Sequence, residues 1–129
     1  MTKLFSKDRA NKYFEHGMVV FFAGGIGQPY FSTDTTITLM AIEMDADCIL
    51  LAKSIDGVYD SDPKVNPNAK KYDEISIAEV VDKRLAVMDL TASIMCMENK
   101  MPMLVFGLEG ENSIVDTVRG KFNGTRITV

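Results

Sequence analysis

With 129 residues the chain has the length of one domain, and its 47% hydrophobic and 25% charged residues supply enough apolar material for a core. Fourteen Lys and Arg against eighteen Asp and Glu leave a formal charge of -4, which argues against generic binding to nucleic acid or to an anionic membrane. Two distant cysteines and a single histidine, without a Cys-x-x-Cys pair, argue against a zinc site and fit a reducing compartment. No apolar stretch is long enough to span a bilayer, and residues 1–10 lack the apolar core of a secretory signal, so a cytoplasmic protein is expected.

Residues 8–16 read as a helix ended by His16 and stopped at Gly17. Met18-Val19-Val20-Phe21-Phe22 is a continuous apolar run, the signature of a strand covered on both faces. A glycine-rich loop follows over 23–31. Ser32, Thr33 and Asp34 are candidate N-caps for a helix with Ile37, Met40, Ala41 and Met44 on its inner face. Residues 48–52 (CILLA) read as a second buried strand, running into a polar connection over 53–73 with Gly57, Pro63 and Pro67. Ser76-Ile77-Ala78-Glu79 has the form of a capping box, opening a helix with Ile77, Val80 and Val81 inward.

Asp89 is placed to cap a further helix whose apolar positions include Leu90, Ile94 and Met97. Residues 101–106 predict a third strand, 113–119 a short helix and 125–129 a last strand. Both cysteines, and Met88, Met95, Met97, Met101 and Met103, read as core-filling residues. This alternation implies one α/β domain over 1–129, a three-layer sandwich in which right-handed crossovers build a largely parallel central sheet with helices on both faces. In such sheets ligands bind beyond the carboxyl ends of the strands, which singles out the loops after residues 22 and 52.

In the first loop, Gly24, Gly25 and Gly27 let the backbone approach a ligand and aim N–H groups at it, and the following helix start favours an anion. Asp34 suits a site that also handles Mg²⁺ or a polarised hydroxyl. Taken alone, the glycines read as a tight turn and Ser-Thr-Asp as ordinary capping. The segment is neither a Walker A loop nor a Gly-x-Gly-x-x-Gly fingerprint. In the second loop Asp56-Gly57 makes a turn and Pro63 holds Asp62 extended. Tyr59 can offer a stacking face, Asp62 an acceptor and Lys53 a phosphate contact; a solvated turn with an exposed tyrosine is the other reading.

Gly25-Ile26-Gly27-Gln28-Pro29-Tyr30-Phe31-Ser32-Thr33-Asp34-Thr35 resembles the uridylate-binding segment of bacterial UMP kinases, members of the amino-acid kinase superfamily. Ile55-Asp56-Gly57-Val58-Tyr59-Asp60-Ser61-Asp62-Pro63 is similar to the ATP loop of that superfamily, and residues 71–76 and 88–92 look like later segments of it. The resemblance implies an amino-acid kinase-like fold and transfer of a phosphoryl group from ATP to UMP with Mg²⁺, within pyrimidine nucleotide synthesis. It implies that Ile26, Gly27, Gln28, Pro29, Tyr30, Phe31, Ser32 and Thr33 line the UMP site, and that Lys53, Ser54, Tyr59 and Asp62 meet ATP. Asp34 and Asp89 would be the carboxylates of the active centre, no metal site is built from protein ligands alone, and full-length members form homo-oligomers, typically hexamers.

The resemblance covers only the second, C-terminal part of the family's sequence. Its early Lys-x-Ser-Gly strand and Gly-Gly-Gly-Asn loop have no counterpart here, so weak or absent turnover is expected. Ile26 and Gln28 stand where the family usually has Thr and Asn. One lost hydroxyl contact weakens UMP binding by roughly five- to tenfold. A non-catalytic nucleotide-binding domain and a kinase with another acceptor are the alternative readings.

Overall fold

In a computed structural model, which describes residues 2–129, the elements run α1 (Lys7–Glu15), α2 (Thr33–Glu43), β1 (Ile49–Lys53), β2 (Glu74–Ser76), α3 (Ile77–Asp82), α4 (Leu90–Glu98), β3 (Met103–Gly107), α5 (Ser113–Val118) and β4 (Gly124–Thr128). Side-chain caps set four of the helix starts, and those at Ser32, Ser76 and Asp89 were expected from the sequence. Ser6, Ser32, Ser76 and Asp89 each accept a hydrogen bond from the backbone N–H three residues on. His16 closes α1, with its ring nitrogen Nδ1 2.6 Å from the Lys12 carbonyl.

The strands form one sheet in the order β1-β3-β4-β2. β1 runs parallel to β3 and β2 parallel to β4, whereas β3 and β4 pair antiparallel, so the sheet is mixed with two parallel pairings of three.

One face of the sheet carries the core. Ile49, Leu51, Met103, Val105, Ile75 and Ile127 pack with Ile77 and Val80 of α3 and Cys96 of α4, and Ala41 and Ile42 of α2 close the edge. On the other face Cys48, Leu50, Ala52 and Arg126 are exposed and Leu104 is half-buried. β1 is thus covered on one side, where its run of apolar residues predicted cover on both. Cys48 precedes β1 and is exposed, not buried; Cys96 is fully buried, and burial pushes its thiol above the usual range.

Three further expectations are corrected. Residues 18–22 form no strand: Met18, Val19, Phe21 and Phe22 are exposed, and only Phe22 finds an aromatic neighbour, Phe5, at 5.7 Å between ring centres. A strand exists only where a neighbour takes up its backbone groups, and among the described residues this run has none. The inner faces of α2 and α4 match the expected apolar positions only in part, with Ala41 packed on the core. Ile37, Leu90 and Met97 are exposed, while Thr35, Thr38, Ala92, Ser93 and Cys96 are buried, with Thr38 Oγ1 3.6 Å from Cys96 Sγ. Small side chains let the two helices approach closely, which aligns their capped ends. Met101 and Met103 are buried as expected, but Met97 is not.

The loop between β1 and β2 is fastened to the sheet by Thr125 of β4, which is fully buried. Its hydroxyl accepts from Val58 N–H at 2.8 Å and donates to the Tyr72 carbonyl at 2.5 Å. Thr125→Val keeps the shape and strands both partners. At roughly 1–3 kcal/mol for each unsatisfied buried group, urea unfolding is expected to show a loss of about 2–6 kcal/mol. Thiol titration with a disulfide reagent is expected to modify Cys48 at once in the folded protein and Cys96 only after unfolding; two fast thiols would contradict the packing of α2 on α4.

Candidate active site

Parallel pairing of β1 with β3, and the turn from each strand into the α-layer, bring strand ends and helix starts to one end of the molecule. Lys53 is the last residue of β1, and Asp34 lies in the first turn of α2. They meet there: Lys53 Nζ donates to the two oxygens of Asp34 at 3.3 and 3.5 Å. Their side chains are 28% and 21% exposed, so the pair is partly shielded yet reachable. Nineteen positions of sequence separate them, and neither motif alone predicts the contact.

Asp89 joins the same end from α4. One of its oxygens accepts from Ala92 N–H at 2.9 Å, as a cap should. Its carboxylate also receives the hydroxyls of Ser32, through a short bond, and of Thr35, at 3.2 and 3.3 Å. Burial by itself pushes the Asp89 carboxyl up, but the bonds from Ser32, Ala92, Thr35 and Thr91 together hold it below the usual carboxylate range. Ser32 therefore serves twice, capping α2 through Thr35 N–H and reaching across to α4. Thr35 is a contributor that the sequence marked only as the last residue of the matching segment; its spacing of three from Ser32 was the available signal.

The glycine-rich loop stands over the start of α2. Gly24, Gly25 and Gly27 take φ of +101°, +66° and +72°, conformations that L side chains rarely adopt, and Gly25 lies beside Thr36. Tyr30 also takes a positive φ, 71°, and is fully exposed, as are large parts of Gln28, Pro29, Phe31 and Thr33; Ile26 is half-buried. In the second loop Ser54 is exposed. Tyr59 donates its hydroxyl to Asp56 at 2.7 Å. Asp62 is taken up locally: its carboxylate accepts from Lys64 N–H and its carbonyl from Val65 and Asn66. The structure thus unites Asp34 with Lys53 and Asp89 with Ser32 and Thr35, while Tyr59 and Asp62 sit farther along the loop that Lys53 begins. Among the described residues no group of three or more His, Cys, Asp or Glu is placed to hold a metal ion.

A family model described as the amino acid kinase family matches residues 2–107. The chain belongs to that family. It is 49% identical over 119 residues to a uridylate kinase of Corynebacterium diphtheriae, covering 92% of this chain and 49% of that protein. The crystal structure of the UMP kinase from Ureaplasma parvum superposes with a TM-score of 0.90 at 40% identity, over 97% of this chain and 54% of the other. The UMP kinase of Bacillus anthracis gives 0.91 at 35% identity, over 98% and 52%. The chain therefore spans about half the length of the family members it matches, and over that half the fold is theirs.

Asp89 offers a test of the geometry. Its folded pKa lies below the unfolded value, so its stabilising contribution is complete above the ordinary carboxylate range and is lost as pH falls through the folded value. Asp89→Ala is expected to cost about 1 kcal/mol or more at neutral pH, the worth of an N-cap. In urea unfolding the gap to the parent should narrow below about pH 4. A gap that stays constant down to pH 3 would mean that the carboxylate is not what joins the two helices.

Proposed function

We propose that this chain carries the nucleotide-handling end of a UMP kinase, moving the γ-phosphoryl group of ATP to UMP as a step of pyrimidine nucleotide synthesis in the cytoplasm. The observation that carries the reading is the Asp34–Lys53 pair at the carboxyl end of β1, set beside an exposed loop whose sequence runs Gly-Ile-Gly-Gln-Pro-Tyr-Phe-Ser-Thr-Asp. The names of the similar proteins, uridylate kinase and UMP kinase, support the same acceptor.

The acceptor in such a reaction is already a phosphate anion, so no strong base is required; alignment and charge screening do the work. Residues 26–33 hold UMP, with loop N–H groups and the hydroxyl of Thr33 toward its phosphate. Lys53 leaves Asp34 to meet the phosphates of ATP, Ser54 lies next to it, and Tyr59 and Asp62 face the nucleoside. Asp34 is then the free carboxylate at the reacting end, and Asp89 keeps that end in register by tying Ser32 and Thr35 to α4. Mg²⁺, carried on the phosphates, supplies charge neutralisation. A single carboxylate beside a lysine fits an ion held mainly by substrate phosphates and water, and the residue that would meet it is Asp34. A homo-oligomer of complete chains is part of the same proposal.

A second reading has its own support. The sequence holds neither a Lys-x-Ser-Gly strand nor a Gly-Gly-Gly-Asn loop, so this chain binds nucleotide with little or no turnover. Calorimetric titrations with Mg·ATP and with UMP, alongside ADP release with and without UMP, separate the two. Binding of ATP, lost or weakened by about tenfold in Lys53→Met, with slow UMP-dependent ADP release, is the expected result. Rapid turnover would show that Asp34, Lys53 and Asp89 suffice, and binding of neither nucleotide would refute the assignment of both loops.

A further inference from the structure

The loop assigned to ATP contains a brace whose key members are not among the residues assigned above. Tyr59 is half-buried and donates its hydroxyl to Asp56 Oδ1 at 2.7 Å. The other oxygen of Asp56 accepts from Lys71 Nζ at 2.9 Å. Lys71 is itself held in place. Its ammonium also reaches Asn123 Oδ1 at 3.4 Å, and its backbone pairs with Tyr59 in a single antiparallel bridge. Its stem passes so close over Gly57 that a Cβ there would lie 2.8 Å from Lys71 Cδ. From the other side Gly107, at the end of β3, lies so close that its own Cβ would sit 3.1 Å from Asp56 Cα. Asp56 is thereby fixed by Lys71 and by the end of β3, and it divides its two oxygens between a cation and a phenol.

A solvent-facing turn needs no such fastening for its own stability, since an exposed ion pair contributes little. What the contacts do fix is the direction of the Tyr59 ring. We propose that Asp56 is the positioning residue of this loop, anchored by Lys71, and that it holds the Tyr59 ring ready as a stacking face for the base of a nucleoside triphosphate. The proposal rests on the assignment of the loop to ATP. Ordering the ring before binding removes the entropy that binding would otherwise consume. It also commits the charge of Lys71 to Asp56, leaving Lys53 to the phosphates. The electrostatics agree: Lys71 first, and Tyr59 second, hold the Asp56 carboxyl below the usual carboxylate range, while the bond to Asp56 pushes the Tyr59 phenol above its ordinary value.

The test is calorimetric titration with Mg²⁺ and a non-hydrolysable ATP analogue. Asp56→Asn and Lys71→Met are each expected to weaken binding by about five- to tenfold, Tyr59→Phe to a similar degree, and Lys71→Arg much less. In the Tyr59→Phe background Asp56→Asn is expected to add less than about twofold, because its effect runs through the phenol. An equal effect of Asp56→Asn in both backgrounds, or none in either, would overturn the proposal; Lys71→Met carries the test if Asp56→Asn does not fold. A parent chain that binds no nucleotide sinks the stacking role together with the ATP assignment. The brace is then decided separately by tyrosine titration in the ultraviolet, taking the difference between parent and Tyr59→Phe. Tyr59 is expected above the ordinary phenol value of about 10 and back toward it in Asp56→Asn; an ordinary Tyr59 in the parent would show that no brace exists.

Discussion

The carboxylate of Asp89 ends α4's unpaired backbone at one side and gathers two hydroxyls of α2 at the other. Because of that double duty, two helices far apart in sequence begin at the same place. The close packing of Thr38 on Cys96 follows from it, since helices that start together and carry small residues inward can lie almost in contact. So does the position of Asp34, in the first turn of α2, opposite the end of β1 where Lys53 emerges. Loss of the Asp89 link would not unmake the sheet, but it would release the end of the molecule where the charged pair and the glycine-rich loop meet.

The second loop is organised on a different principle. Instead of a helix dipole it uses one buried hydroxyl, Thr125 Oγ1, which takes a donor from one end of the loop and an acceptor from the other. Asp60 and Lys70 pair across it through backbone and side chain, and Asp56, Tyr59 and Lys71 close its top. A connection of this length without regular structure is therefore rigid where a nucleotide would meet it. Rigidity by polar contacts suits a surface that must stay wet and open, which apolar packing would close.

The local chemistry of this fold was legible in the sequence and its partnerships were not. Caps at Ser32, Ser76 and Asp89 depend on residues three apart, and all three could be read directly. The apolar runs that became β1 and β3 were visible for the same reason. β2 was missed because three residues make a strand only when β4 lies alongside. Residues 18–22 failed in the opposite sense, having every intrinsic feature of a strand and no neighbour. The burial of Thr35 and Thr38 instead of Ile37 reflects which helix each faces, a tertiary fact that periodicity does not contain. At the site, motifs named Asp34 and Lys53 one by one, whereas their contact, and the reach of Lys71 to Asp56 across fifteen residues, exist only in three dimensions.

The uncovered run at residues 18–22 bears on how the protein behaves in a crowded solution. Val-Val-Phe-Phe combines high β-propensity with no charge and no proline, the composition that stacks readily with copies of itself. It lies in the same molecule as β1, a sheet-edge strand paired on one side only, with Leu50 exposed on the open face. A net charge of -4 opposes association only weakly at ordinary salt. These five residues contribute almost nothing to the folded core, so a single lysine introduced at Val19 or Phe21 would interrupt the apolar run without disturbing buried packing.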